Sequence, residues 1–294
     1  MNRIPRPAGT WAAFASVLCL LLASCTVSTR IDTGSMSFSD TPLTGKVVWN
    51  DLITDDAAAA RRFYGALFGW TFEDATGPAG RDYVIARSGS MPVAGMVPVA
   101  PGQGGEELSR WLPYVSVSDV DAAVARATAA GARVAVGPRD VGLGRVAAII
   151  DPQGAVIGIA RSSLGDPDDA TTAPGLGRKV WIELLSNDPA ASARFYEAMV
   201  GYQARTIARR GGEYTLLSGG GVDRAGILAN PTGYWSPVWL TSFGVADASK
   251  ATALAASLGG TVLLAPSADL REGGMAVVSD PSGAILVLQE LGKE

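Results

Sequence analysis

The chain has 294 residues, a formal net charge of −4, 48% hydrophobic and 18% charged residues, and no histidine. The acidic balance offers no basic footprint for nucleic acid. The missing imidazoles exclude His-based triads, His general bases and His-ligated metals, and the length suits two domains or one large one.

Residues 1–24 read as a signal peptide. Arg3 and Arg6 give a positive start, residues 11–22 form an apolar run too short to span a bilayer comfortably, and the segment closes on Leu22-Ala23-Ser24-Cys25. That ending resembles the lipobox of bacterial lipoproteins. The resemblance implies acylation of Cys25, a membrane-anchored mature chain in the cell envelope and, with Thr26 rather than Asp following, the periplasmic face of the outer membrane in a Gram-negative cell. An ordinary signal peptide cut at a small residue, or an uncleaved anchor, is the alternative. Cys19 and Cys25 are the two cysteines of the chain, so residues 26–294 hold no thiol nucleophile and no disulfide. Residues 25–45, rich in Ser, Thr, Gly and Asp, are expected to form a flexible tether.

The next stretch, Trp49-Asn50-Asp51-Leu52-Ile53-Thr54, alternates in character and predicts a two-faced strand. Asp56 stands where an N-cap belongs. Ala60, Phe63, Tyr64 and Leu67 recur at helical spacing, and Gly69 falls where a left-handed stop is wanted. Short strands are expected around residues 83–86, 93–96 and 112–117. Asp119 caps a second helix that ends at Gly131, and further strands follow at 132–136, 145–150 and 156–160, with Asp151-Pro152-Gln153-Gly154 as a β-turn. Residues 164–177 read as a linker.

The pattern then returns. Trp49 and Trp181, Asp56 and Asp188, Phe63 and Phe195, and Gly69 and Gly201 are each 132 residues apart, which marks an internal duplication. Glu183 answers Asp51, Tyr214 answers Tyr83, Trp239 answers Trp111, Asp247 answers Asp119, and Asp280-Pro281-Ser282-Gly283 answers the Asp151 turn. Strand, capped helix and several strands also occur twice within each half.

These spaced motifs, each present twice over residues 46–163 and 178–291, resemble the vicinal oxygen chelate superfamily of glyoxalases, bleomycin-resistance proteins and dioxygenases. The resemblance implies an α+β chain of two tandem domains, each a pair of βαβββ modules forming an open curved-sheet cup. In the family's enzymes the cup holds a divalent metal on the first and last strands. Counting from the capping and turn aspartates puts those ligand positions at Trp49, Leu112, Trp181, Leu240, Gly158 and Val287. None of these side chains binds a hard or borderline metal, so no metal and no cofactor is expected.

Asp51 and Glu183 are the candidate catalytic or binding carboxylates, each beside an indole on its strand. In a cup they would bind a cationic or hydroxylated ligand or act as a base of raised pKa; on a strand end they would be structural. Trp49, Trp111, Trp181 and Trp239 are either stacking walls for a flat aromatic ligand or core packing. Arg205, Arg209 and Arg210 form a loose basic cluster, by default a solvated hairpin face, with an anion site as the other reading. The expected partners are a small-molecule ligand, the membrane through the lipid anchor, and a second copy of the chain as a candidate homo-oligomer. The expected function is metal-free binding of a small molecule, with flat aromatics as the candidate class. A glyoxalase- or dioxygenase-type enzyme using the pocket carboxylates, and a degenerate interaction protein, are the rivals.

Overall fold

The structure is a computed structural model and describes residues 33, 36–77, 82–101, 109–170, 172–209, 212–230 and 236–292. The expected signal peptide, Cys25 with most of the tether, and Arg210 lie outside the described residues. Among the described residues, no helix is long and apolar enough to cross a membrane.

In chain order, β1 (Phe38–Ser39) precedes the first module: β2 (Val47–Thr54), α1 (Ala57–Phe68), β3 (Thr71–Thr76), β4 (Asp82–Ser88) and β5 (Met91–Pro98). The second module is β6 (Arg110–Ser116), α2 (Val120–Ala129), β7 (Arg133–Val141), β8 (Gly144–Ile150) and β9 (Val156–Ser162), after which comes β10 (Asp166–Pro167). The third is β11 (Lys179–Ser186), α3 (Pro189–Val200), β12 (Gln203–Arg209), β13 (Gly212–Gly219) and β14 (Val222–Ala229). The fourth is β15 (Val238–Val245), α4 (Ala248–Ser257), β16 (Thr261–Leu264), a 3-10 turn (Arg271–Gly273), β17 (Met275–Ser279) and β18 (Ile285–Glu290).

Each helix begins where its capping aspartate dictates. The side chains of Asp56, Asp119, Asp188 and Asp247 accept hydrogen bonds from the backbone N–H groups of Ala59, Ala122, Ala191 and Lys250 at 2.8–2.9 Å. Gly69 and Gly201 close α1 and α3 in the left-handed conformation, with φ of 70° and 89°.

The modules pair within each half. One eight-stranded sheet runs β3-β4-β5-β2-β6-β9-β8-β7, and the other runs β12-β13-β14-β11-β15-β18-β17-β16. In the first, β2 lies parallel to β5, β6 lies parallel to β9, and β2 meets β6 antiparallel at the centre. The second repeats this with β11, β14, β15 and β18.

The two faces of each sheet have different partners. The helix-bearing faces build two cores, and each core takes residues from both halves. One joins Val120, Ala123, Ile157 and Ile159 to Ile182, Leu184, Phe195 and Met199. The other joins Leu52, Phe63, Trp70 and Met96 to Phe243, Ala248, Val278 and Leu286. The opposite faces carry separate apolar clusters that belong to one half each: Ile53, Leu112, Val136, Ala148 and Ile150 in the first, and Leu185, Leu240, Val277 and Val287 in the second. These are the cups.

The stretches before and between the halves also meet. β1 pairs with β10, and the fully buried Asp166 carboxylate accepts from Leu43 N at 2.6 Å and Ser116 Oγ at 2.5 Å. Polar composition concealed this, because Asp166 Oδ2 takes both of its partners from the protein rather than from water, while Oδ1 is buried without a hydrogen-bond partner among the described residues.

Candidate functional site

Strand alternation decides which sequence candidates reach the cups. On β2, Trp49, Asp51 and Ile53 share the cup face, while Leu52 enters the shared core. Asp51 is 7% exposed. Its Oδ1 accepts from Tyr83 Oη at 2.7 Å and from Trp49 Nε1 at 2.9 Å, and the nearby Tyr114 phenol also favours the ionised carboxylate. Trp49 Nε1 also lies 2.9 Å from Tyr83 Oη, so indole, phenol and carboxylate form one closed cluster. Burial is the largest influence on Asp51 and pushes its carboxyl up. The Tyr83, Trp49 and Tyr114 donors pull it back. Burial beside that carboxylate pushes the Tyr83 and Tyr114 phenols well above their ordinary value.

Two glycines make room for this cluster. Asp51 stands opposite Gly95 on parallel β5, where a Cβ would lie 1.9 Å from Tyr83 Oη and 2.1 Å from Asp51 Oδ1. Gly158, one of the inferred metal-ligand positions, lies under the Tyr114 ring, and a Cβ there would come within 2.3 Å of Tyr114 Cδ1.

The second cup repeats the triad and changes its third member. Tyr214 Oη donates to Glu183 Oε1 at 2.8 Å, and Trp181 Nε1 donates to Tyr214 Oη at 2.7 Å. Gly226, opposite Glu183, makes the same allowance as Gly95, with a Cβ 1.9 Å from Tyr214 Oη. Where the first cup has Tyr114 over Gly158, the second pairs Ser242 with Val287. The additional donor to Glu183 is Arg271, whose Nη2 lies 3.3 Å from Oε1. Arg209 lies over the Tyr214 ring with Cζ 4.0 Å from the centroid.

Trp111 and Trp239 do not join these clusters, which corrects their place in the candidate ligand set. The alternation that puts Leu112 and Leu240 in the cups puts both indoles in the shared cores, 5% and 3% exposed. Trp111 Nε1 donates to Tyr64 Oη at 3.1 Å, and Tyr64 donates across the halves to Asp280 Oδ2 at 3.0 Å. Reciprocally, Trp239 Nε1 donates to Tyr196 Oη at 2.8 Å, and Tyr196 donates to Asp151 Oδ2 at 2.9 Å. Both aspartates hold their own turns through Oδ1, Asp151 accepting from the N–H groups of Gln153, Gly154 and Ala155. The repeated Phe-Tyr and Asp-Pro motifs therefore serve the junction between halves.

Sequence reasoning overlooked Tyr114, Arg271 and Arg110. Tyr114 has no duplicated tyrosine, and Arg271 answers Gly142, so the repeat gave neither signal. Arg110 shares the cup-facing alternation of Leu112 and Tyr114, and burial pulls its guanidinium down to about 10.

As a metal site the donor set does not fit. The inferred ligand positions carry indole, aliphatic or no side chain. Among the described residues, no group of three or more His, Cys, Asp or Glu could hold an ion.

The sequence profile described as Glyoxalase/Bleomycin resistance protein/Dioxygenase superfamily matches residues 46–159. The Mycobacterium bovis protein named "Putative glyoxylase CFP32" is 36% identical over 242 residues, covering 81% of this chain and 91% of that protein. The "Anthracycline biosynthesis protein DnrV" of Streptomyces peucetius is 32% identical over 261 residues, covering 84% and 94%. The crystal structure of the Mn(II)-bound glyoxalase from Novosphingobium aromaticivorans shares the fold at TM-score 0.55 and 16% identity, covering 85% of this chain and 83% of that one.

Proposed function

The chain belongs to the Glyoxalase/Bleomycin resistance protein/Dioxygenase superfamily, and on that footing we propose that it is a small-molecule-binding protein of the cell envelope whose cups work without a bound metal. The observation that carries the proposal is the Asp51 cluster. A carboxylate 7% exposed is held by the indole of Trp49 and the phenol of Tyr83 beside a wall of Ile53, Leu112, Val136 and Ile150, with Arg110 on the same strand face as Leu112. An apolar surface with a few converging polar groups is the usual composition of a ligand site. Asp51 would take the hydroxyl or amine of the ligand, and the Trp49 indole and the aliphatic wall would take its flat body. The relative DnrV is named for anthracycline biosynthesis; anthracyclines are planar, hydroxylated polycyclic aromatics, and that chemical class suits the cup. The metal-free reading is supported by the donor set, in which a single carboxylate faces indole and phenol donors.

The test is native mass spectrometry and metal analysis of the protein purified without chelator, followed by titration with a hydroxyanthraquinone. The expected outcome is no stoichiometric metal, and saturable quenching of tryptophan fluorescence that Trp49→Phe and Asp51→Asn both weaken. Stoichiometric metal, or quenching indifferent to both substitutions, overturns the proposal.

A second reading is favoured by the raised proton affinity of Asp51 beside Tyr83 and by the glyoxylase name of the mycobacterial relative. Here Asp51 is a general base that removes a proton from a bound substrate. Turnover abolished by Asp51→Asn with binding retained would favour it.

The proposed place in the cell rests on the lipobox-like Leu22-Ala23-Ser24-Cys25. Cys25→Ser should release the protein from the membrane fraction and abolish labelling by radioactive palmitate. Unchanged fractionation and labelling would sink the anchor.

A further inference from the structure

The second cup contains a feature that the first lacks. Among the described residues, two non-glycine residues have positive φ, and they are neighbours: Arg271 at 45° and Glu272 at 53°, with Gly273 following at 80°. Non-glycine side chains resist this region, and such strain persists only where the surroundings enforce it, most often at ligand clamps and active sites. The strained turn carries the guanidinium that reaches Glu183, a carboxylate buried to 3% exposure, across the cup.

A second guanidinium stands nearby. Arg209 is exposed, rests with Cζ 4.0 Å above the Tyr214 ring, and makes no ion pair among the described residues. Stacking uses the face of a guanidinium and leaves its edge N–H donors free for a carboxylate. Among the described residues, Arg271 likewise makes one side-chain contact, at 3.3 Å, with a fork that carries five donors. Arg205, on the same strand face, is already taken by Asp223 at 2.6 Å. Both arginines are specific to this cup, since the corresponding positions in the first half are Gly77 and Gly142. Tyr214 Oη joins their surroundings, because it donates to the same Glu183 Oε1 that Arg271 contacts. The wall beneath is apolar, with Leu185, Leu240, Val277 and Val287 buried in it.

We propose that the second cup is an organic-anion site, in which Arg209 and Arg271 receive the carboxylate of a ligand whose aromatic body packs on the apolar wall. The proposal rests on the reading that the cups hold small molecules, and it gives the second cup a ligand class distinct from that of the first. Glu183 keeps Arg271 in place before the ligand arrives, and the ligand carboxylate takes the free edge of each fork.

The test is equilibrium dialysis of the full-length protein, at neutral pH and low salt, against 2-naphthoate and its neutral isostere 2-naphthamide. The expected result is at least tenfold tighter binding of the naphthoate. Arg209→Gln and Arg271→Gln should each remove that preference and leave the naphthamide within twofold of wild type. Arg209 is exposed and outside the strained turn, so Arg209→Gln carries the test alone if Arg271→Gln does not fold. Equal binding of the two probes by wild type, or a preference that survives both substitutions, overturns the anion assignment and leaves the cups as neutral-ligand sites. Binding of neither probe overturns the anion assignment and, for this cup, the reading on which it rests.

Discussion

Tyr64→Phe removes one oxygen atom and leaves two buried groups short of a partner. Tyr64 is fully buried and Asp280 is 2% exposed. The substitution deprives Asp280 Oδ2 of its donor at 3.0 Å and Trp111 Nε1 of its acceptor at 3.1 Å. A buried polar group stripped of its partner costs about 1–3 kcal/mol. Asp280 keeps its Oδ1 bonds from Ser282 and Ala284, which caps its share. Some 2 kcal/mol for the carboxylate and 1 kcal/mol for the indole give a loss of about 3 kcal/mol. For a folded unit of this size, at about 2–4 °C per kcal/mol, the melting temperature should fall by roughly 6–12 °C in scanning calorimetry. Tyr196→Phe should cost the same, since it orphans Asp151 and Trp239 in the mirror arrangement. The two tyrosines lie in separate cores and share no partner, so the double variant should lose about the sum, roughly 6 kcal/mol. A melting temperature within about a degree of wild type for Tyr64→Phe would show that the cross-half bond contributes no net stability, and the reasoning would fail.

The two cores each take residues from both halves, so calorimetry should record one cooperative transition for the folded region; two separated transitions would mean that each half is stable alone. The pH dependence of Asp51 has a definite sign. Because burial raises its carboxyl pKa in the folded state, the stability it contributes is complete below the unfolded value of 3.8 and drains away as pH rises through the folded value. Asp51→Asn cannot ionise, so its urea midpoint should gain on wild type as pH rises above the unfolded value of 3.8; a constant difference would refute the shift. Gly95→Ala should cost about 1–3 kcal/mol and red-shift the Trp49 emission, since the added methyl contends with Tyr83 Oη and Asp51 Oδ1. An unchanged spectrum would mean that the cluster shifts aside at no cost.

Much of the fold was legible because its local signals occur twice. All four capping aspartates and the glycine stops of α1 and α3 stand where the spacing put them, since caps and stops depend on a few adjacent residues. The pairing of modules within each half follows the resemblance rather than any local signal, because the same βαβββ pattern could serve a cup within a half, between halves or between chains; the β2–β6 and β11–β15 ladders fix it. In the candidate site, Asp51, Glu183, Trp49 and Trp181 were found by alternation and duplication, and Tyr83 and Tyr214 were recognised as equivalents. Trp111 and Trp239 fall to the packing alternative, which the sequence left open because adjacent residues of a strand point to opposite faces and sequence alone does not say which face of β6 or β15 is concave. Tyr114 and Arg271 were missed because each lies far along the chain from the carboxylate it serves and neither is duplicated.

The reciprocal Tyr64–Asp280 and Tyr196–Asp151 bonds lie wholly on the helix side of the sheets. Fastening and the proposed ligand chemistry thus fall on opposite surfaces of the same strands, with alternate residues along each strand facing one or the other. A substitution in a cup need not loosen the junction between the halves, because the side chains that make the junction lie on the other face. The neutral donors on Asp51 and the cation paired with Glu183 show how far the two cups differ while the bonds between the halves stay the same.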